Sequence, residues 1–217
     1  MTRLLALLAC LLLAPPAFAA GDAAEAGLAR LIGAYQGVER LTADFTQETT
    51  YAGFSTARAF GGRLELVRPD RMRWDYRNGS DQQIYVAGRE VTVYAPAQQQ
   101  AIVSTLSHAS DQQIPLHLLA DVTGIPKTYH VAAGTDPGEL VLTPLADDPR
   151  APTAVHLWLH PETGLIRRVR LLLPGGSRSD IAFTNVDTGA AINDARFRFA
   201  APKGVHVARP EAIFPKR

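Results

Sequence analysis

Over most of the chain, apolar and polar residues alternate with a period of two. Leu64 and Leu66 alternate with Arg63 and Glu65, and Met72, Trp74 and Tyr76 with Arg71, Arg73 and Asp75. Val155, Leu157 and Leu159 alternate with His156 and Trp158. Shorter apolar runs lie at 84–86, 91–94, 140–142, 166–173 and 181–186. Such runs read as half-buried strands whose alternate side chains face one core. Turn sequences separate them: Asn78-Gly79, Gly88, Asp136-Pro137-Gly138, the stretch from His160 to Gly164, and Pro174-Gly175-Gly176. Consecutive strands joined by short turns predict an antiparallel meander.

Two segments follow other periods. Asp22 and Glu25 have capping-box spacing, and Leu28, Leu31, Ile32 and Tyr35 form one face of a helix that Gly37 ends. Residues 107–124 carry Ile114, Leu116, Leu118, Leu119 and Val122 around Pro115, a spacing that suits one or two short helices. The predicted fold class is therefore mainly β with helices (α+β). A sheet of this length curls, and the helices are the only candidates to cover its concave face.

Phe45, Trp74, Tyr76, Leu157 and Phe183 are the large residues assigned to that concave side. They either fill a solid core or line a cavity for an apolar ligand, and periodicity does not separate the two. Arg68 shares parity with Leu64 and Leu66, although Pro69 can bend the strand there. An arginine on an apolar face is costly unless its donors are satisfied. It either snorkels to water or reaches backbone carbonyls of the helical cover.

The N-terminus sets the compartment. Arg3, the apolar run 4–14 and Ala17-Phe18-Ala19 read as a secretory signal peptide over residues 1–19, cleaved near Ala19. The run is shorter than the ~20 residues a spanning helix needs, and no later stretch would stop transfer. A retained anchor helix is the alternative, but the small residues sit where a peptidase cuts. Cys10 is the single cysteine; Leu7-Leu8-Ala9-Cys10 resembles a lipoprotein box, yet the apolar residues 11–14 continue past it. Ordinary cleavage leaves residues 20–217, read as a single domain without disulfides, thiolate catalysis or cysteine-metal sites.

Charge and motifs exclude several functions. Without Arg3 the 22 basic residues become 21, equal to the 21 acidic ones. That balance argues against a nucleic-acid partner. His156 and His160 sit about 13 Å apart on a strand, too far for one ion, and no metal site is assigned. Gly175-Gly176-Ser177 is a hairpin, not a hydrolase elbow, and there is no phosphate loop. No enzyme activity, catalytic residue or cofactor is assigned. Arg63, Arg71, Arg73, Arg77, Arg167, Arg168 and Arg170 fall mostly on the outer face, either solvated or docking an acidic partner.

Several short motifs occur in an informative order: Leu41-Thr42-Ala43-Asp44-Phe45-Thr46-Gln47, then Gly61-Gly62-Arg63-Leu64-Glu65-Leu66-Val67-Arg68-Pro69, then Arg73-Trp74-Asp75-Tyr76. Phe197-Arg198-Phe199 and Pro202-Lys203-Gly204-Val205-His206-Val207 close the series. In order and spacing the chain resembles the LolA family of periplasmic lipoprotein carriers. The resemblance implies an open antiparallel barrel covered by the N-terminal helix and a short helical lid. It also implies a monomer whose apolar cavity takes lipoprotein acyl chains. Phe45, Leu64, Leu66, Met72, Trp74, Tyr76, Leu116, Leu119, Leu157 and Phe183 would line that cavity, and Arg68 would latch the lid by hydrogen bonds. The implied partners are an ATP-driven inner-membrane transporter that releases lipoproteins and an outer-membrane receptor, LolB. The polar run 107–113 before the lid, and Met72 where a larger residue is expected, leave room for a carrier of another lipid or glycolipid. An interaction module with a solid core is the alternative from a different class.

Overall fold

The computed structural model describes residues 20–105, 116–149 and 151–209. The leader assigned to 1–19 with Cys10, the polar run 107–113, and Ile114-Pro115 lie outside these residues. Helix α1 (Ala20–Tyr35) comes first, followed by β1 (Arg40–Thr50), β2 (Arg58–Val67) and β3 (Arg71–Asn78). Strands β4 (Gln83–Ala87), β5 (Glu90–Ala95) and β6 (Gln100–Thr105) continue the meander. Then come two short helices, α2 (Leu116–Ala120) and α3 (Ile125–Thr128). A second meander follows: β7 (Tyr129–Ala133), β8 (Glu139–Pro144), β9 (Ala154–Leu159), β10 (Ile166–Leu172) and β11 (Arg178–Asp187). The short β12 (His206–Ala208) is last.

These twelve strands join one sheet in the order β12-β6-β5-β4-β3-β2-β1-β11-β10-β9-β8-β7. The two meanders therefore meet where β1 pairs with β11. Because β12 and β7 are the ends of the order, the sheet stays open. One pairing departs from the antiparallel expectation: β12 runs parallel to β6, His206 opposite Gln100. A segment after β11 crosses the sheet's outer face to reach that edge.

Cross-strand rows explain the curled core. Leu41, Leu66, Met72, Val86 and Val91 are successive partners across β1 to β5, as are Ala43, Leu64, Trp74, Ile84 and Val93. On the other meander, Leu140, Leu157, Val169 and Ile181 form one row and Leu142, Val155 and Leu171 another. These rows face α1, α2 and α3, and nearly all their side chains are buried in one cluster with Leu31, Leu118, Leu119, Val122 and Ile125. Burying each large apolar side chain is worth about 1.5–3 kcal/mol. The cover and the sheet are thus held together mainly by apolar contact.

Three local expectations need correction. Helix α1 already runs from Ala20, so Asp22 lies in its first turn and is not the N-cap; alanine is a strong helix former and extends the helix upstream. Asn78-Gly79 does not make a two-residue hairpin. Strand β4 starts only at Gln83, and Tyr76 N–H closes the loop on Gln82 O at 2.9 Å. The lid also continues past Gly124 to Thr128, because Asp121 caps a 3₁₀ turn that leads directly into α3. Gly62 has a specific need for no side chain: a Cβ there would sit 2.0 Å from Asp75 O, at a bulge where β2 skips register against β3.

Candidate functional site

Arg68 stands where β2 ends, and its parity toward the covered side holds. Its Nη1 donates to Tyr35 O at 2.7 Å and its Nε to Ala120 O at 3.1 Å. Tyr35 and Ala120 are the last residues of α1 and α2. Carbonyls at a helix C-terminus lack intrahelical partners and carry partial negative charge. One guanidinium therefore caps α1 and α2, two of the cover's helices, and joins them to the sheet. Its carbon also lies 5.9 Å from the centre of the Tyr35 ring.

Neighbouring groups stiffen this junction. Burial pushes the Tyr35 phenol up to about 12. Asp121, next to Ala120, accepts hydrogen bonds from the backbone N–H groups of Thr123 and Gly124 at 3.0 and 3.2 Å. The Thr123 hydroxyl also donates to it, and with the Arg68 charge these contacts hold the Asp121 carboxyl below its ordinary range.

The residues expected to line an acyl cavity fall into three groups. Phe45, Leu64, Leu66, Met72, Trp74, Leu119, Leu157 and Phe183 are buried and pack together beneath the helices. Phe45 meets Trp74 edge-on at 4.8 Å and Tyr76 at 5.1 Å, and Trp74 lies 6.0 Å from Phe183. Met72 accepts a hydrogen bond at Sδ from the Trp74 indole at 2.9 Å. Leu116 opens α2, and its side chain lies outside the described residues. Tyr76 forms the third group: it lines an open space, a cavity of about 370 Å³ at the end of the concave face away from Arg68. That volume falls within the range of small-molecule sites.

Sequence reasoning missed the residues that make this cavity distinct. Along β1 the inward positions run Leu41, Ala43, Phe45, Gln47, Thr49, so the strand turns from apolar to polar halfway. Gln47 Nε2 donates to Thr49 Oγ1 and to Ser179 Oγ, both at 3.1 Å, and the two hydroxyls lie 3.1 Å apart. Tyr76 Oη donates to Gln47 Oε1 at 2.8 Å. Burial pushes the Tyr76 phenol above its ordinary range. The β1 parity carries the signal, since Gln47 and Thr49 share the phase of the inward Phe45.

Five of the outer-face arginines have ion-pair partners within the chain. Arg71 pairs with Asp194 at 2.8 Å, Arg73 with Asp75 at 2.7 Å, and Arg63 with Asp44 at 3.4 Å. Arg168 and Arg170 share Asp180 at 2.6 and 2.9 Å. Arg196 reaches Glu65 and Asp75, so several of these pairs fasten the segment after β11 to the sheet. Among the described residues no group of three His, Cys, Asp or Glu side chains could hold a metal ion. No described helix is long and apolar enough to cross a membrane.

Residues 36–200 match the family described as outer membrane lipoprotein carrier protein LolA. The chain is 26% identical over 185 residues to an outer-membrane lipoprotein carrier protein of Pseudomonas putida, covering 85% of this chain and 89% of that one. A Pseudomonas fluorescens protein of the same description is 28% identical over 182 residues, with 83% and 87% covered. Among solved structures, an uncharacterized conserved protein from Thermus thermophilus superposes with a TM-score of 0.52 at 15% identity. The superposition covers 86% of this chain and 99% of that one, which extends the likeness to the fold.

Proposed function

The chain belongs to the LolA family of outer membrane lipoprotein carrier proteins, and on that membership we propose that it carries lipoproteins across the periplasm. In this reading residues 1–19 export it, and residues 20–217 act as one carrier domain. It accepts the acyl chains of lipoproteins released by an ATP-driven inner-membrane transporter and delivers them to the outer-membrane receptor LolB. The chains enter between the concave sheet and the cover, among Phe45, Leu64, Leu66, Met72, Trp74, Leu116, Leu119, Leu157 and Phe183, with Tyr76 at the far end. The observation that carries the reading is the pair of hydrogen bonds that Arg68 donates to the ends of α1 and α2. Arg68 is the polar tie that α1 and α2 share, beside the apolar contacts and the bonds of Arg30 on α1 to His160 O and Pro161 O; a shared tie of this kind can be released.

The magnitudes are compatible with reversible loading. A chain of about sixteen carbons gains on the order of 12 kcal/mol on leaving water. Opening exposes Leu118, Leu119, Val122 and Ile125, at about 1.5–3 kcal/mol each, and breaks two hydrogen bonds worth ~0.5–1.5 kcal/mol each. One chain roughly balances the cover it displaces, so cargo is sheltered without being held irreversibly.

Native mass spectrometry of the protein drawn gently from the periplasm tests the proposal. Acylated protein or lipopeptide bound in equimolar amount is expected. A consistently ligand-free protein, recovered from cells whose lipoproteins are in transit, would contradict it. A solid-core interaction module is favoured by one observation, the direct packing of the cover's leucines on the sheet. It would appear in the same spectra as a bound protein lacking acyl groups.

A further inference from the structure

We propose that the cavity beyond Tyr76 binds the uncharged ester or amide linkage of an acylated molecule, whose alkyl chain then runs past Tyr76 over the aromatic core. The inference rests on the carrier reading and assigns the polar half of its ligand.

The interior rows stop being apolar at one place. Thr49 and Ser179 are direct partners across β1 and β11, and Gln47 stands one inward position earlier on β1. All three are buried and line the cavity. Hydrogen bookkeeping within the group is uneven. The Gln47 amide uses both hydrogens, one on each hydroxyl. Between Thr49 and Ser179 only one hydroxyl hydrogen can lie along their 3.1 Å contact. The other hydroxyl hydrogen has no acceptor inside the triangle, and the cavity is the space these side chains share. Tyr76 gives its own hydrogen to Gln47 and keeps an acceptor lone pair. This buried group thus offers one spare donor and one spare acceptor to the cavity, where Tyr51, Ser80, Gln82 and Ser177 add further neutral polar lining and Ile84, Val93 and Leu173 supply apolar wall.

The charge character of the wall selects the ligand. None of the described residues lining the cavity is Asp, Glu, Lys, Arg or His, although Arg58 lies over the ring of Tyr51, its carbon 5.9 Å from the ring centre. A free carboxylate or phosphate entering it would lose hydration with no cation of this wall to receive it. A neutral carbonyl needs one donor, which is what the triangle leaves over. An ester or amide joined to a long alkyl chain matches both the polar end and the aromatic path that begins at Tyr76, whose ring touches Phe45 and Phe60.

Calorimetric titration of the purified protein with dioctanoylglycerol and with its diether counterpart, dioctylglycerol, tests this. The ester is expected to bind about tenfold more tightly than the ether, the scale of one additional hydrogen bond. A variant with Gln47→Leu, Thr49→Val, Tyr76→Phe and Ser179→Ala is expected to lose the ester preference, the ester-to-ether affinity ratio falling to about one. Equal affinities in the unaltered protein would overturn the linkage site while leaving the carrier reading intact, and this comparison needs no variant. An ester preference that persists in the apolar variant would also overturn it. Failure of both ligands to bind would overturn the carrier reading with it.

Discussion

At the residue scale, Arg68 joins more of the fold than its parity suggested. A single planar donor fork caps two helices that arrive from different parts of the chain. Lysine offers a compact charge on a flexible stem and lacks that fork. Replacing Arg68 by leucine removes both bonds and shifts the cover toward the open state by about 2 kcal/mol, roughly 30-fold. Transfer of a preloaded lipopeptide to receptor-bearing membranes should slow by about that factor, with Arg68→Lys intermediate. Transfer by the leucine variant at the unaltered rate would remove the latch from the account. The parity of Arg68 was legible because Leu64 and Leu66 fix the phase of β2. Its two acceptors were not, since Tyr35 and Ala120 come together only through the fold.

At the element scale, legibility followed the strength of the local pattern. Strand β3 was readable because Met72, Trp74 and Tyr76 alternate cleanly with charged residues. Strand β7 was not, because as a sheet edge it pairs on one side only and its inward residues include Ala133. Strand β12 has three residues, and its partner β6 lies about a hundred positions away, so only tertiary pairing defines it. The segment leading to β12 was recognised as a motif, but its place was not. Phe197 packs against Val67 and Ile192 on the outer face, in a small cluster separate from the main core. Phe197→Ala should cost about 3 kcal/mol, seen as a lower thermal midpoint. Ligand affinity at 25 °C should stay unchanged, because the cluster lies on the face opposite the cover. Lost affinity in a folded Phe197→Ala variant would mean that the two faces are coupled.

For the whole molecule, the sequence indicated an apolar concave face under helices but not where the space lies. Periodicity reports which side a residue faces, whereas a void depends on how side chains of different strands fill the curl. The result is a packed region beneath the Arg68 junction and a cavity at the opposite end. The buried phenols bear on the pH range over which this arrangement persists. Tyr35 is pushed up to about 12 by burial, and Tyr76 is raised as well. Below pH 10 both stay neutral in folded and unfolded chains, and their burial contributes fully. As pH rises from 10 toward 12 the unfolded phenols ionise first, so stability is lost over that window. Thermal midpoints should fall there, and Tyr35→Phe should reduce the fall; an unchanged slope would mean that other groups govern it.

The central claim is that the concave face and its movable cover can shelter acyl chains in water. It is tested most directly by mixing the purified protein with a diacylated lipopeptide and separating soluble complexes by size. An equimolar water-soluble complex is the expected result, accompanied by a change in the fluorescence of the buried Trp74 in a Trp158→Phe background. Absence of any complex, with Arg68→Leu as well as with the unaltered protein, would contradict it.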